Sequence, residues 1–255
     1  MIIGAQMFTV HDYTKTLEGF SESLKKIADI GYKSVQVSGT CKFDPQWLKE
    51  ELDKNGLTCN LTHTDITRLR EETENVIADH SVYGCKYIGI GIMPDITTQN
   101  TPETWKKFAD SYLPVAKKLA ENGKYFMYHN HGFEFTEVDG QLATEFLAKT
   151  FPAENLGFTL DTHWVKAAGK DPAEWIKKLK GRTPCIHLKD LITLPDGKTN
   201  FAEVGKGELD FDSILKISEE LGVEYAFVEQ DDCYGKDPFE CLKTSLEYLH
   251  AQGLC

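Results

Sequence analysis

A chain of 255 residues is long for an ordinary domain and a normal length for one α/β barrel. Its formal net charge of −12 speaks against a nucleic-acid partner, because phosphate backbones are bound chiefly by clustered Lys and Arg. An anionic small molecule is not excluded, since one Lys, one Arg or a metal ion reverses the potential of a single cleft.

In chain order, short β-branched or aromatic runs alternate with longer segments whose apolar residues recur at three and four positions. The predicted strands are Ile2 to Phe8, Ser34 to Ser38, Thr58 to Thr62, Tyr87 to Ile90, Tyr125 to His129, Gly157 to Leu160, Cys185 to Leu188 and Tyr225 to Glu229. The predicted helices are Thr14 to Ile30, Pro45 to Asn55, Ile66 to Tyr83, Pro102 to Asn122, Gln141 to Thr150, Pro172 to Lys180, Phe211 to Leu221 and Pro238 to Ala251. The helix from Pro102 is the clearest: Thr101-Pro102 supplies an N-cap and Pro at N1, and Asn122-Gly123 a stop. Eight strand–helix pairs without a linker or a composition shift predict one (β/α)8 TIM-barrel domain over residues 1–255. A doubly wound open sheet is the alternative, and no G-x-G-x-x-G or Walker sequence supports it. Seven cysteines without C-x-x-C spacing read as free thiols of a reducing cytoplasm. The opening MIIGAQMFTV has no basic n-region or cleavage site and no long apolar run occurs, so neither secretion nor membrane insertion is expected.

A parallel barrel keeps its chemistry at the C-terminal ends of its strands. Five of the eight histidines stand there: His63, His129, His131, His163 and His187. Glu134, Asp161 and Glu229 share these positions. Any one of them alone reads more often as a helix cap or a satisfied polar group, as Asp161 would at the start of a helix. Together they form the oxygen and nitrogen set of a divalent cation such as Mn²⁺, Co²⁺, Mg²⁺, Fe²⁺ or Zn²⁺. So much charge in one barrel mouth is costly without a cation or a bound partner.

The segments GAQMFTVHD, GYKSVQVSG, YHNHGFEF, LDTHWVKAAGKDP, GRTPCIHLKD, EVGKGELDF and YAFVEQDD carry a nearly end-to-end similarity to a known family. The chain resembles the sugar phosphate isomerase/epimerase family, with its xylose isomerase-like TIM barrel. The resemblance implies one divalent metal held by a Glu, an Asp, a His and a second Glu. Asp161, His187 and Glu229 match three of these. At the first, this chain has His129-Asn130-His131, so either Glu134 folds back to complete the set or a histidine takes its place; Glu134 is the preferred ligand. Gln36 stands where many relatives have Glu.

The implied reaction is sugar isomerisation or epimerisation, by proton abstraction beside a carbonyl through an enediolate. Glu229 is one expected base, and the other is Glu134 or a histidine of the 129–131 pair, with His131 the expected acid–base histidine. The alternative is a metal-dependent lyase or dehydratase of keto-sugars, of the inosose or 3-keto-glycoside type, with an imidazole as acid to the departing oxygen. His63, His129, His163, Trp164 and Lys189 are the expected substrate contacts. Trp164 would stack on a sugar or pack on the following helix, and Lys189 would neutralise an enediolate or pair with Asp190. The loop Glu203-Val204-Gly205-Lys206-Gly207 reads as a close approach to ligand or Asp210, or as a surface turn. The expected partner is a small sugar, with no nucleic acid and no membrane; relatives are often dimers or tetramers, so a homo-oligomer is compatible. An apurinic-site endonuclease, also known in the superfamily, is disfavoured by the acidic balance, and a catalytically silent sugar-binding barrel is the remaining competitor.

Overall fold

The computed structural model describes residues 1–254. In chain order its strands are β1 (Ile2–Gln6), β2 (Ser34–Val37), β3 (Thr58–His63), β4 (Tyr87–Ile90), β5 (Tyr125–His129), β6 (Leu156–Asp161), β7 (Cys185–Leu188), β8 (Asp190–Thr193), β9 (Thr199–Ala202) and β10 (Tyr225–Val228). All but β8 and β9 pair in parallel and close into a barrel in the order β1-β10-β7-β6-β5-β4-β3-β2, while β8 and β9 form a separate antiparallel hairpin. The helices are α1 (Leu17–Ile30), α2 (Pro45–Asn55), α3 (Ile66–Glu71), α4 (Thr73–Val82), α5 (Pro102–Glu121), α6 (Ala143–Thr150), α7 (Thr162–Ala167), α8 (Pro172–Lys178), α9 (Phe211–Glu220) and α10 (Pro238–Ala251). This is the expected (β/α)8 barrel.

Alternation along each strand decides which residues reach the inside. Leu61, Tyr87, Met127, Cys185 and Phe227 meet in one apolar cluster that plugs the barrel. Val35, Ile88, Phe126, Ile186 and Ala226, each adjacent in register to an inward residue, face the larger core between barrel and helices. Each fully buried Phe or Ile of that core contributes roughly 1.5–3 kcal/mol. Gly4 lets the plug close: a Cβ there would stand 2.6 Å from the Phe227 ring. One step up the strands, two residues beyond Leu61, Met127, Cys185 and Phe227, come His63, His129, His187 and Glu229. The polar layer at the mouth therefore follows from the same parity that builds the plug.

The outer helices begin and end as their sequences dictate. Thr101 accepts the Thr104 amide at the start of α5, Pro102 follows, and Gly123 ends the segment at φ +70°. Trp105, Phe108, Tyr112, Ala116 and Leu119 of α5 are buried on one stripe.

Several boundaries differ from expectation. β1 stops at Gln6 because the Gln6 side chain accepts the Phe8 amide and starts a 3₁₀ turn over Met7–Tyr13. α1 begins at Leu17, where Thr16 caps the Gly19 amide. The segment from Ile66 is two helices, broken at Glu72, where the Thr73 hydroxyl bonds the Leu69 carbonyl and competes with the helical ladder. The helix α7 and the β8–β9 hairpin have no counterpart among the predicted elements. Cys41, Cys59, Cys85, Cys185, Cys233 and Cys241 are free thiols, and Cys255 lies outside the described residues. Among the described residues, no helix is long and apolar enough to cross a membrane.

Candidate metal centre

His129, Asp161, His187 and Glu229, all buried, each offer one ligating atom, and these atoms lie within 4.8 Å of one another. They come from the ends of β5, β6 and β7 and the residue after β10. Both imidazoles are oriented from behind. His187 Nε2 lies 2.6 Å from Gln36 Oε1, and His129 Nδ1 lies 3.0 Å from the Gly91 carbonyl. Neither acceptor can donate, so each of these nitrogens carries the proton. His187 Nδ1 and His129 Nε2 face the carboxylates, and they are the nitrogens whose lone pairs a metal would use in the neutral tautomers.

The carboxylates are equally fixed. Asp161 Oδ1 caps α7 through the Trp164 amide at 3.0 Å, which leaves Oδ2 for the centre, 3.3 Å from His129 Nε2. Both readings of this residue, cap and ligand, thus fall on one side chain. Asn130 Oδ1 accepts the Asp161 amide at 3.0 Å and ties β5 to β6. Glu229 Oε2 lies 2.9 Å from His187 Nδ1 without hydrogen-bond geometry, and both atoms lack hydrogen-bond partners. Glu229 Oε2 has the Lys189 ammonium as its neighbour, whereas His187 Nδ1, buried and turned to the carboxylates, is the atom a further cationic centre would satisfy.

Lys189 is buried beside them. Its Nζ lies 3.0 Å from Asp161 Oδ2, 2.9 Å from Glu229 Oε2 and 2.8 Å from Asp231 Oδ1. Three carboxylates against one ammonium leave two negative charges once His187 is neutral, the complement of a divalent ion. Burial alone would depress the His187 imidazole, yet Glu229 and Asp161 outweigh it and hold its pKa up at about 9, so a bound cation would displace a proton from Nδ1. Burial would raise the Glu229 carboxyl, but Lys189 and His187 hold it well below the usual range. Asp231 is pushed up to about 6 by burial and by Glu229, against the pull of Lys189. The donor set, its tautomers and its charge all fit a divalent cation.

Above the centre lies a cavity of about 370 Å³ walled by Phe8, His63, His131, Lys189 and Asp231. His131 Nδ1 is buried without a partner, and burial followed by the repulsion of His129 lowers its pKa to about 3. A cavity of about 430 Å³ at the opposite end of the barrel, beside Lys86, Tyr125 and Glu224, has no such convergence of groups.

A xylose isomerase-like TIM barrel family model matches residues 24–251. The chain belongs to this family. An inosose dehydratase of Clostridium perfringens is 25% identical over 266 residues, covering 90% of this chain and 86% of the relative. A solved sugar phosphate isomerase/epimerase from Parabacteroides distasonis superposes with a TM-score of 0.82 at 21% identity, covering 98% and 93% of the two chains. An L-ribulose 3-epimerase structure gives 0.74 at 14% identity, covering 98% and 94%. At these identities the two structures establish the fold alone.

Within this member of the family three sequence expectations change. Glu134 is not at the centre. Tyr128, next to His129, faces the helical layer, and its hydroxyl donates to Glu134 Oε1 at 2.7 Å while the His131 amide donates to Oε2 at 2.7 Å. The carboxylate is therefore held behind the barrel wall, where burial raises its pKa to about 7. His129, expected to touch substrate, occupies the position expected for Glu134. His163 is withdrawn as well, with Nδ1 3.3 Å from the Asp190 carbonyl and its ring 4.4 Å from Phe201.

Trp164 packs 5.4 Å from His131 and 6.0 Å from Phe201, and 5.9 Å from the Lys189 ammonium, at the edge of the mouth. Lys189 pairs with Asp231 and not with Asp190. Asp190 instead accepts the amides of Leu191, Gly205, Gly207 and Leu209, clamping the glycine loop. A Cβ on Gly207 would stand 2.4 Å from the Asp190 carboxylate, so this loop approaches Asp190 rather than Asp210 or a ligand. Sequence reasoning missed Asp231 and Asn130, and it read Gln36 only as a lost acid. The E-Q-D-D run after β10 was the available signal for Asp231.

Proposed function

We propose that the protein is a divalent-metal-dependent lyase that eliminates water or an alcohol from a keto-polyol or keto-sugar. The observation that supports this reading best is His129 at the end of β5, with Glu134 turned away. Epimerisation through two opposed carboxylates needs a second base beside the reacting carbon. Among the described residues, Glu229 is the one carboxylate that combines a place at the centre with access to the cavity; His129, which shares both, turns its Nε2 to Asp161. The inosose dehydratase relative, similar over 90% of this chain, supports the same reaction.

When bound, the divalent ion supplies Lewis acidity toward a carbonyl and its neighbouring hydroxyl. Glu229 takes the proton from the carbon next to the carbonyl. The electron pair of that C–H bond moves onto the carbonyl, whose oxygen becomes negative, and then returns to form the new C=C bond as the C–O bond one carbon further on breaks. The proton passes from the Glu229 carboxyl to the departing oxygen, so water or an alcohol leaves and an unsaturated ketone remains. Lys189, an ammonium buried beside Glu229, stabilises the negative oxygen that develops on the ketone. His131, held neutral by burial and by His129, is not an acid for the departing oxygen and instead hydrogen-bonds a substrate hydroxyl through Nδ1. His63 contacts substrate from the opposite wall.

Isomerisation is the second reading, because one carboxylate suffices to carry a proton between adjacent carbons. Incubating the metal-loaded protein with inososes, ketoses and 3-keto-glycosides in D₂O separates the two. Elimination gives an ultraviolet-absorbing product, lost in Glu229→Gln, whereas isomerisation gives deuterated sugar of unchanged heavy-atom formula. Inversion at a single carbon without elimination would contradict the single-base account.

A further inference from the structure

A second cavity, of about 460 Å³, opens beside the mouth over the loops that follow β2 and β3. The two cavities share Ser38, Gly39, His63, Thr64 and Asp65 as walls. His63 is the partition: Nδ1 lies 3.2 Å from Ser38 Oγ, and Nε2 is buried without a partner. An atom linking a ring at the metal centre to a unit in the second cavity would pass this nitrogen. The mouth cavity alone sits near the lower end of the roughly 300–1,000 Å³ typical of ligand sites. It has room for one ring; the pair has room for two.

The side cavity's lining states what it would take. Hydroxyls of Ser38, Thr40, Thr62 and Thr64 give both donors and acceptors, and the faces of Phe43 and Tyr83 give apolar surface, the combination that suits a sugar ring. Its charge disfavours a phosphate. Asp65, Glu72 and Asp79 outnumber Lys42 and Arg68, and Arg68 is already paired with Asp79 and, at 3.4 Å, with Glu72.

We infer that this side cavity is a second carbohydrate subsite, which binds a neutral polyhydroxylated unit joined to the ring that reacts at the metal centre. The inference rests on the proposed lyase reading for the role of that unit, which departs as the alcohol. Its recognition is independent of turnover, since Thr40 lines the side cavity and not the mouth.

The test is calorimetric titration of the full chain with glucose, glucose 6-phosphate, and the disaccharides cellobiose, maltose, lactose and trehalose. At least one disaccharide is expected to bind tenfold or more tightly than glucose. Thr40→Trp, which fills the side cavity, should abolish that advantage and leave glucose affinity unchanged; Thr40→Phe is the second variant if the tryptophan perturbs the fold by circular dichroism. The subsite is overturned if no disaccharide exceeds glucose by that margin, if the advantage survives in a folded filling variant, or if glucose 6-phosphate binds more tightly than every disaccharide. Elimination from an inosose without disaccharide preference sinks the subsite alone. Disaccharide preference without any elimination or isomerisation product sinks the lyase reading alone.

Discussion

Gln36→Leu removes the acceptor that holds His187 in its metal-binding tautomer without touching any ligand. The bond lost is the 2.6 Å contact between His187 Nε2 and Gln36 Oε1. Gln36 is fully buried and its Nε2 has no partner, so the leucine removes an unsatisfied amide and restores a side chain of similar length. The folded state should hold. The His187 N–H is then left without an acceptor, a cost of about 1–3 kcal/mol for a buried donor. Partners of this kind are worth about 10–100-fold in metal affinity, or roughly 1.4–2.7 kcal/mol, the same size by an independent route. Isothermal titration with Mn²⁺ or Zn²⁺ on wild type and Gln36→Leu, with far-ultraviolet circular dichroism as the fold control, reads the effect. Gln36→Glu, which keeps an acceptor oxygen, should bind at least as tightly as wild type. Wild-type affinity in a folded Gln36→Leu would refute the orienting role and, with it, the lone-pair argument for the centre.

Glu134→Leu leaves two buried donors, the Tyr128 hydroxyl and the His131 amide, without their acceptors. It should cost about 1–3 kcal/mol of stability per donor, read by denaturant melts, and leave metal stoichiometry at wild type, whereas loss of metal would restore Glu134 as a ligand. Lys189→Met should abolish turnover while tightening metal binding, since it deletes the ammonium that competes for the same carboxylates; weaker metal binding would contradict the charge balance. His80 hydrogen-bonds Thr62 and Val76, and burial lowers its pKa from 6.5 to about 4. Its unfolded form takes up a proton first, so stability is full above pH 6.5 and is lost as pH falls toward 4, by about 3 kcal/mol in all. His80→Gln should flatten that part of the stability–pH curve, and an unchanged slope would show that other groups set it.

The barrel was legible because its strands and helices follow simple periods, and the polar layer because it repeats the plug's parity two residues later. Asp161, His187 and Glu229 sit on or next to a strand, where that parity still holds. Glu134 lies beyond the end of β5, where parity no longer fixes direction, and the outward Tyr128 hydroxyl captures it. His163 belongs to a helix rather than a strand, so proximity in sequence to Asp161 placed it wrongly. The β8–β9 hairpin was readable in principle from Asp196-Gly197, a turn pair between two extended runs, but the eight-unit barrel pattern left no position for it.

Anomalous diffraction at a metal absorption edge from Mn²⁺- or Zn²⁺-loaded crystals addresses the centre itself. One peak is predicted, shared by His129 Nε2, Asp161 Oδ2, His187 Nδ1 and a Glu229 oxygen. A peak coordinated by Glu134, or no peak among these four at saturating metal, would contradict it.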